Sequence, residues 1–202
     1  KDVAKYLFLL SDGEKIESVL MYHDYGISIC ISTQVGCNMS CSFCESGRFG
    51  KKRNLFAYEI VEQIILIQNY IKEKINSIVI MGIGEPFDNY DEIIKFIYIV
   101  NDSKGLEIGS RHITVSTCGL VPKIKEFSEL PLQVNLAVSI HGSNNELRNK
   151  LMPVNKMYNL DVLIPTIGEY IAKTGRRVTI EYVMLNMVND NDPYASKFCS
   201  NF

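Results

Sequence analysis

The order of elements in this chain predicts an α/β fold whose central strands run parallel, either as a sheet or as a barrel. Three observations carry the prediction. Five short apolar runs alternate with segments of helical period, an order that calls for right-handed crossovers. The chemically suggestive motifs, "GCNMSCSFC", "GIGEP", "STCG", "SIHG" and "MLNMVND", each follow such a run, where parallel α/β folds gather ligands. With 202 residues, 47% hydrophobic and 22% charged, the chain can bury the core of one such domain.

The elements follow in order. "YLFLLSDGEKIESVLMYHDYGISICIS" sets apolar runs around turn signals at Ser11-Asp12-Gly13 and His23-Asp24-Tyr25-Gly26, which predicts β-hairpins feeding a strand that ends near Ile31. The cysteine loop comes next. From Ala57, "AYEIVEQIILIQNYIKEK" spaces Ile60, Ile64, Ile67 and Ile71 as one helical face, and "SIVIMGIGEP" is a strand running into a Gly-rich turn. The alternation repeats with "YDEIIKFIYIVNDSKG" as helix, "HITVSTCG" as strand, "PKIKEFSEL" as helix and "QVNLAVSIHG" as strand. "NNELRNKLM" and "LDVLIPTIGEYIAKTG" are helices, "RVTIEYVML" is the fifth strand, and "NDNDPYASKFCSNF" opens a helix with no sixth strand after it. The domain is therefore expected to be truncated.

Composition narrows the function classes. No apolar run approaches the roughly 20 residues of a membrane span, and the opening stretch has no signal-peptide pattern, so an intracellular, cytoplasmic protein without a membrane partner is expected. A net charge of −2 argues against a surface that grips nucleic acid throughout; Lys51, Lys52 and Arg53 form the one basic run beside the cysteines. Six cysteines, Cys30, Cys37, Cys41, Cys44, Cys118 and Cys199, clustered in a chain of this size, favour metal or thiol chemistry over structural disulfides.

Cys37, Cys41 and Cys44 lie within twelve residues that hold no fourth thiol. Structural zinc normally takes four protein ligands, so it would have to recruit His112, His141 or Cys118. A redox pair of Cys41 and Cys44 would leave Cys37 without a role. A [4Fe–4S] cluster held by three thiolates keeps one iron free, and a free iron can chelate the amine and carboxylate of S-adenosylmethionine; electron transfer into the sulfonium then releases a carbon radical.

The spacing Cys-x3-Cys-x2-Cys, with Phe43 before the last cysteine, resembles the signature of the radical S-adenosylmethionine enzymes. The stretches "SICISTQVGCNMSCSFC", "KRNL", "IVIMGIGEPFDNYDEI", "HITVSTCGLVP" and "NLAVSIHGSNNELRNKLMPVNKMYNL" resemble, in order and spacing, one branch of them. That branch is the dual-specificity 23S ribosomal RNA and transfer RNA adenine-C2 methyltransferases, with their antibiotic-resistance relatives that act on carbon 8. The resemblance implies a partial (β/α) barrel over 27–202, lacking its final strand and C-terminal segment, behind an N-terminal β-hairpin extension over 1–26. It implies a [4Fe–4S] cluster and S-adenosylmethionine as cofactors. The implied partners are 23S ribosomal RNA, transfer RNA as a second substrate, and an external electron donor such as flavodoxin.

Residue by residue, the resemblance makes Cys37, Cys41 and Cys44 the cluster ligands. It puts Gly84 and Glu85 at the amino end of S-adenosylmethionine, and Ser116, Ser139, Ile140 and His141 at further cofactor contacts. Without it, Glu85 reads as a solvated turn residue, the serines as helix caps and His141 as an ordinary core or surface histidine. Cys30 matches the family's non-cluster cysteine. In the family, a second cysteine carries a methyl group whose radical adds to the adenine ring, and the matching cysteine then forms a disulfide with it to release product. Glu17 matches the proposed general base, which asks for a carboxylate tuned by burial; by itself it reads as an exposed strand glutamate.

The chain departs from the family in lacking a match for the methyl-carrying cysteine, for the sixth strand with its cofactor-contacting asparagine and for the small N-terminal RNA-binding domain. Cys199 lies too early to take that cysteine's role, and Cys118 matches no family role. A fragment that binds the cluster without completing methyl transfer is therefore expected. The competing readings are a radical enzyme with another substrate on the same barrel, and a zinc- or cluster-bearing remnant that binds RNA or a protein.

Overall fold

The computed structural model describes residues 3–199. The chain opens with β1 (Val3–Leu9), β2 (Lys15–His23) and β3 (Gly26–Cys30), then forms the short strands β4 (Gln34–Val35) and β5 (Arg53–Asn54) on either side of the cysteine loop. The alternating region follows as α1 (Ala57–Ile71), β6 (Ser77–Ile80), α2 (Tyr90–Asn101), β7 (Ile113–Thr117), α3 (Val121–Phe127) and β8 (Asn135–Ser139). It continues through α4 (Asn145–Leu151), α5 (Leu160–Thr174), β9 (Val178–Glu181) and α6 (Asp192–Cys199).

Seven strands form one sheet in the order β1-β2-β3-β6-β7-β8-β9, antiparallel through β3 and parallel beyond it. Among the described residues it does not close, leaving β1 and β9 at its edges: a partial barrel. Both hairpins turn where the sequence places them, and the second joins β2 to β3, so the N-terminal ribbon continues the sheet.

Strand register explains how one sheet carries both a core and a site. Side chains alternate between faces along a strand. On one face Ile29, Ile31, Ile78, Ile80, Ile113, Val115, Leu136, Val138 and Ile140 are buried. Against them pack Ile60, Ile64 and Ile67 of α1, Ile93, Phe96 and Ile97 of α2, Ile124 and Phe127 of α3, and Leu163 and Ile167 of α5, in one continuous cluster. Each such side chain contributes on the order of 1.5–3 kcal/mol when fully buried. The opposite, concave face carries Glu17 and Val19 of β2, Cys30, Val79, Thr114, Ser116, Ala137, Ser139, Thr179 and Glu181.

The helix predicted over 57–74 stops at Ile71, because Lys72 turns left-handed (φ 60°) and the Gln68 side chain accepts the Ile75 N–H at 2.8 Å. The strand predicted over 177–185 ends at Glu181, where the chain folds back on Asn189. The predicted helix after it is α6.

Candidate active site at the strand ends

The cysteine loop is closed at its base by the β4–β5 ribbon, with Gln34 opposite Asn54 and Val35 opposite Arg53. Gln34 is fully buried and fastens the loop to the Gly84-Glu85 turn: its Oε1 accepts the Glu85 N–H (2.9 Å), and its Nε2 donates to Asn54 (2.8 Å) and Asp88 (2.9 Å). On the far side the Ser42 N–H donates to the Leu151 carbonyl at 2.9 Å, seating the loop on the end of α4. Gly36 (φ 75°) crosses so close to Gly50 that a Cβ would lie 1.9 Å from its carbonyl oxygen. The loop is thus shaped by the protein's own bonds.

Cys37, Cys41 and Cys44 line one side of a pocket of about 440 Å³. Beside Met39 and Phe43 of the loop and Met152 at the end of α4, its other walls come from four strand ends: Met81, Gly84 and Glu85 after β6, Ser116, Thr117 and Cys118 at β7, Ser139 and His141 at β8, and Glu181, Tyr182 and Val183 at β9. Of the eleven candidate residues, eight therefore meet in this pocket: the three cysteines, Gly84, Glu85, Ser116, Ser139 and His141.

The other three stand apart. Ile140 points its side chain into the core and is fully buried. Cys30 lies on the concave face beside the Met81 backbone, outside the pocket lining, with its thiol raised by burial above all. Glu17 shares that face on the neighbouring strand, but it lines a separate cavity with Val35, Phe49 and Ile83 and pairs with Lys5 at 2.9 Å, its side chain 40% exposed.

The thiols fit a cationic cluster. Burial raises Cys37, and burial together with the neighbouring Cys44 and Cys37 pushes Cys41 up to about 12, so positive charge brought by a bound group would favour the thiolate forms of these two. A single zinc ion would need ligands converging on one point. Among the described residues no three His, Cys, Asp or Glu side chains do so, and the His141 Nδ1 is already taken by the Val183 N–H at 3.0 Å. A cubane instead meets its thiolates at separate iron corners.

Glu85 is buried, which raises its carboxyl, yet it is fully engaged: Oε1 accepts from the Phe87 N–H (3.0 Å) and Oε2 from the Cys118 N–H (2.7 Å). It ties the β6 turn to the end of β7. The accessible carboxylate of the pocket is Glu181, whose Oε2 accepts from the hydroxyls of both Ser116 (2.6 Å) and Ser139 (2.8 Å). His141 sits at φ 55°, edge-on to Phe43 at 5.0 Å, and burial lowers it to about 4, so its ring is neutral near pH 7. Asn189, also buried, donates to the carbonyls of His141 (3.0 Å) and Val183 (2.8 Å) and accepts the Leu185 N–H (2.6 Å).

Sequence reasoning missed Gln34, Glu181, Asn189 and Arg148. For Glu181 the signal was present: it is the acidic residue of an apolar strand, two positions from Thr179 and so on the same face. No disulfide joins any of the six cysteines. The basic run also differs from its expected part as an open patch, because Lys51 pairs with Asp88, Lys52 with Glu14, and Arg53 with Asp12 and Glu59.

Residues 31–197 match the family model described as Radical SAM superfamily. The probable dual-specificity RNA methyltransferase RlmN of Spiroplasma citri is 56% identical over 190 residues, covering 93% of this chain and 55% of that protein. Its counterpart from Acholeplasma laidlawii is 59% identical over 187 residues, again 93% of this chain and 55% of that protein. The chain thus spans about half the length of these curated relatives. A radical SAM methyltransferase from Sphaerobacter thermophilus superposes with a TM-score of 0.96 at 42% identity, covering 99% of this chain and 60% of that one. Streptococcus suis SuiB bound to S-adenosylmethionine shares the fold, with a TM-score of 0.57 at 19% identity over 85% of this chain and 36% of that one. The chain belongs to the radical SAM superfamily, and its RlmN-named relatives are members it resembles over nearly all of its length.

Proposed function

We propose that this chain is the catalytic barrel of a radical SAM RNA methyltransferase whose target is carbon 2 of an adenosine in 23S ribosomal RNA, with transfer RNA as a second substrate. The observation that carries the reading is the meeting of three cysteines with the ends of β6, β7, β8 and β9 in one pocket. The RlmN-named relatives support RNA as the substrate class. In this reading residues 27–202 are the barrel, 1–26 the hairpin extension, the setting is the cytoplasm and the electron donor is an external protein such as flavodoxin.

When bound, the cluster and S-adenosylmethionine supply one electron and a carbon radical. Cys37, Cys41 and Cys44 would hold the cluster. The Gly84-Glu85 turn would offer its backbone to the amino end of the cofactor, since the Glu85 side chain is engaged elsewhere. Ser116, Ser139 and neutral His141 would border the rest of it. Cys30, half-buried and with its thiol raised by that burial, would serve as the exchanging thiol of a methyl-cysteine route once a base takes its proton. Glu17 faces the same side of the sheet and would act as the base toward the ring proton.

Anaerobic reconstitution with iron and sulfide, then reduction with S-adenosylmethionine, tests the core of this reading. 5′-Deoxyadenosine should form with the wild type and not with a Cys37→Ala, Cys41→Ala, Cys44→Ala variant. Zinc in place of iron and sulfide, or cleavage that survives the triple substitution, overturns it. Supplying RNA and looking for 2-methyladenosine or 8-methyladenosine then tests the target, and cofactor cleavage without either product is the result expected of a chain without a match for the methyl-carrying cysteine.

A further inference from the structure

Arg148 is among the largest fully buried side chains, and it has no carboxylate partner among the described residues. A guanidinium carries five N–H donors in a rigid fork. Here they meet five neutral oxygens: Nε donates to the Ile140 carbonyl (3.1 Å), Nη1 to Asn155 Oδ1 (2.8 Å) and the Tyr158 carbonyl (3.3 Å), and Nη2 to the carbonyls of Cys118 (2.7 Å) and Ser139 (3.2 Å). Hydrogen bonding is satisfied, but the charge is not neutralised. A buried cation without an anion is costly, and this one would ordinarily be selected away or paired.

Its surroundings indicate what the charge faces. Three of the five oxygens belong to the strand-end segments at Cys118 and Ser139-Ile140, which border the pocket. The helix that carries Arg148 also carries Leu147 and Leu151, which pack with Met152, Cys118, Met39, Cys41 and Phe43 beneath the cysteine loop. Burial disfavours the charge of the guanidinium, and the nearby sulfurs of Cys118 and Cys41 would favour it when ionised; the same helix accepts the Ser42 N–H of the cysteine loop on the Leu151 carbonyl at 2.9 Å.

We propose that Arg148 is a positioning residue whose uncompensated charge stands as the fixed counter-cation of the three-cysteine site. Two consequences follow. The fork holds the ends of β7 and β8 in register, which sets Ser116 and Ser139 against the pocket. The charge favours the more anionic state of whatever the cysteines hold. For a [4Fe–4S] cluster, one-electron reduction from an external donor makes the site one unit more negative, so the cation raises its reduction potential. The inference rests on the cluster reading proposed above.

Potentials of the reconstituted 202-residue chain, titrated with dithionite and followed by electron paramagnetic resonance, test it. Asn155→Asp places a carboxylate on Nη1, pairing the charge without removing it, and gives up the amide's donation to Asn145 and Asn149, which Asn155→Ala also loses without adding charge and so controls for. Arg148→Lys keeps the charge and loses the fork, and Arg148→Met loses both. The expected result is a shift to more negative potential in Asn155→Asp and Arg148→Met, with Arg148→Lys and Asn155→Ala close to the wild type, at unchanged iron and sulfide content. Equal potentials in the wild type and Asn155→Asp overturn the inference and leave Arg148 a structural brace. Should the Arg148 variants fail to fold, Asn155→Asp against Asn155→Ala decides it. A wild-type chain that takes up no iron and sulfide refutes the cluster reading itself, a distinguishable failure.

Discussion

His141 shows how a single residue couples the site to pH. Its ring is buried, and burial lowers it to about 4 from the ordinary 6.5. A histidine held below its unfolded value contributes stability that is present above pH 6.5 and lost as pH falls to about 4, a swing on the order of 3 kcal/mol. Glu85 acts with the opposite sign, because burial raises its carboxyl and protonation relieves that cost as pH falls. Comparing denaturant midpoints of wild type and His141→Gln at pH 7 and 4.5 isolates the histidine: the wild type should lose more, and equal losses would assign the effect elsewhere. Gly84 is a second residue with one permitted identity. At φ 111°, an added Cβ would lie 2.7 Å from both Gln34 Cβ and Thr33 Oγ1, so Gly84→Ala should destabilise by at least about 2 kcal/mol in the same assay. Both residues were legible as motif members. Their geometry was not, because a left-handed backbone and a desolvated ring depend on segments more than forty positions away, Gln34 for one and Val183 for the other.

At the level of elements, β9 is held by its ladder to β8, and the return after it is braced by one side chain. Asn189 alone pairs the His141 and Val183 carbonyls and the Leu185 N–H. Asn189→Ala should leave these buried groups short of partners, cost about 2–4 kcal/mol, and speed amide exchange over 182–189 while β6, β7 and β8 keep their protection. Uniform acceleration across the sheet would instead make Asn189 a global stabiliser. The parallel strands and helices α1, α2 and α5 were readable because Ile and Val recur at periods that local sequence encodes. The β4–β5 ribbon was not, since two-residue strands carry no period and their pairing spans the whole cysteine loop. The early end of β9 was hidden for a related reason: apolar residues continue through Val183, Met184 and Leu185, and only the distant bond network shows that they leave the sheet.

Across the whole molecule, charge sets how strongly this barrel would hold RNA in the function proposed above. The sequence holds 21 Lys and Arg against 23 Asp and Glu. The basic run beside the site is consumed internally, with Lys51 on Asp88 at 2.6 Å, Lys52 on Glu14 at 2.8 Å, and Arg53 on both Asp12 at 2.6 Å and Glu59 at 2.8 Å. A cation paired to a carboxylate brings less net charge to a phosphate, although an exposed pair such as Lys52–Glu14 costs only about 0–1 kcal/mol to open. Non-specific binding at physiological salt spans roughly 10⁻⁴–10⁻⁶ M, and this chain should fall at the weak end of that range. Its affinity for a labelled ribosomal stem-loop, measured by anisotropy, should change by no more than about tenfold between 50 and 200 mM salt, where six or more phosphate contacts would cost about a thousandfold. A steep slope that flattens in Lys51→Ala or Lys52→Ala would show the ion pairs opening onto RNA. A shallow slope would leave charge on this barrel a minor contributor to RNA binding, and any affinity that remains would rest on stacking and shape.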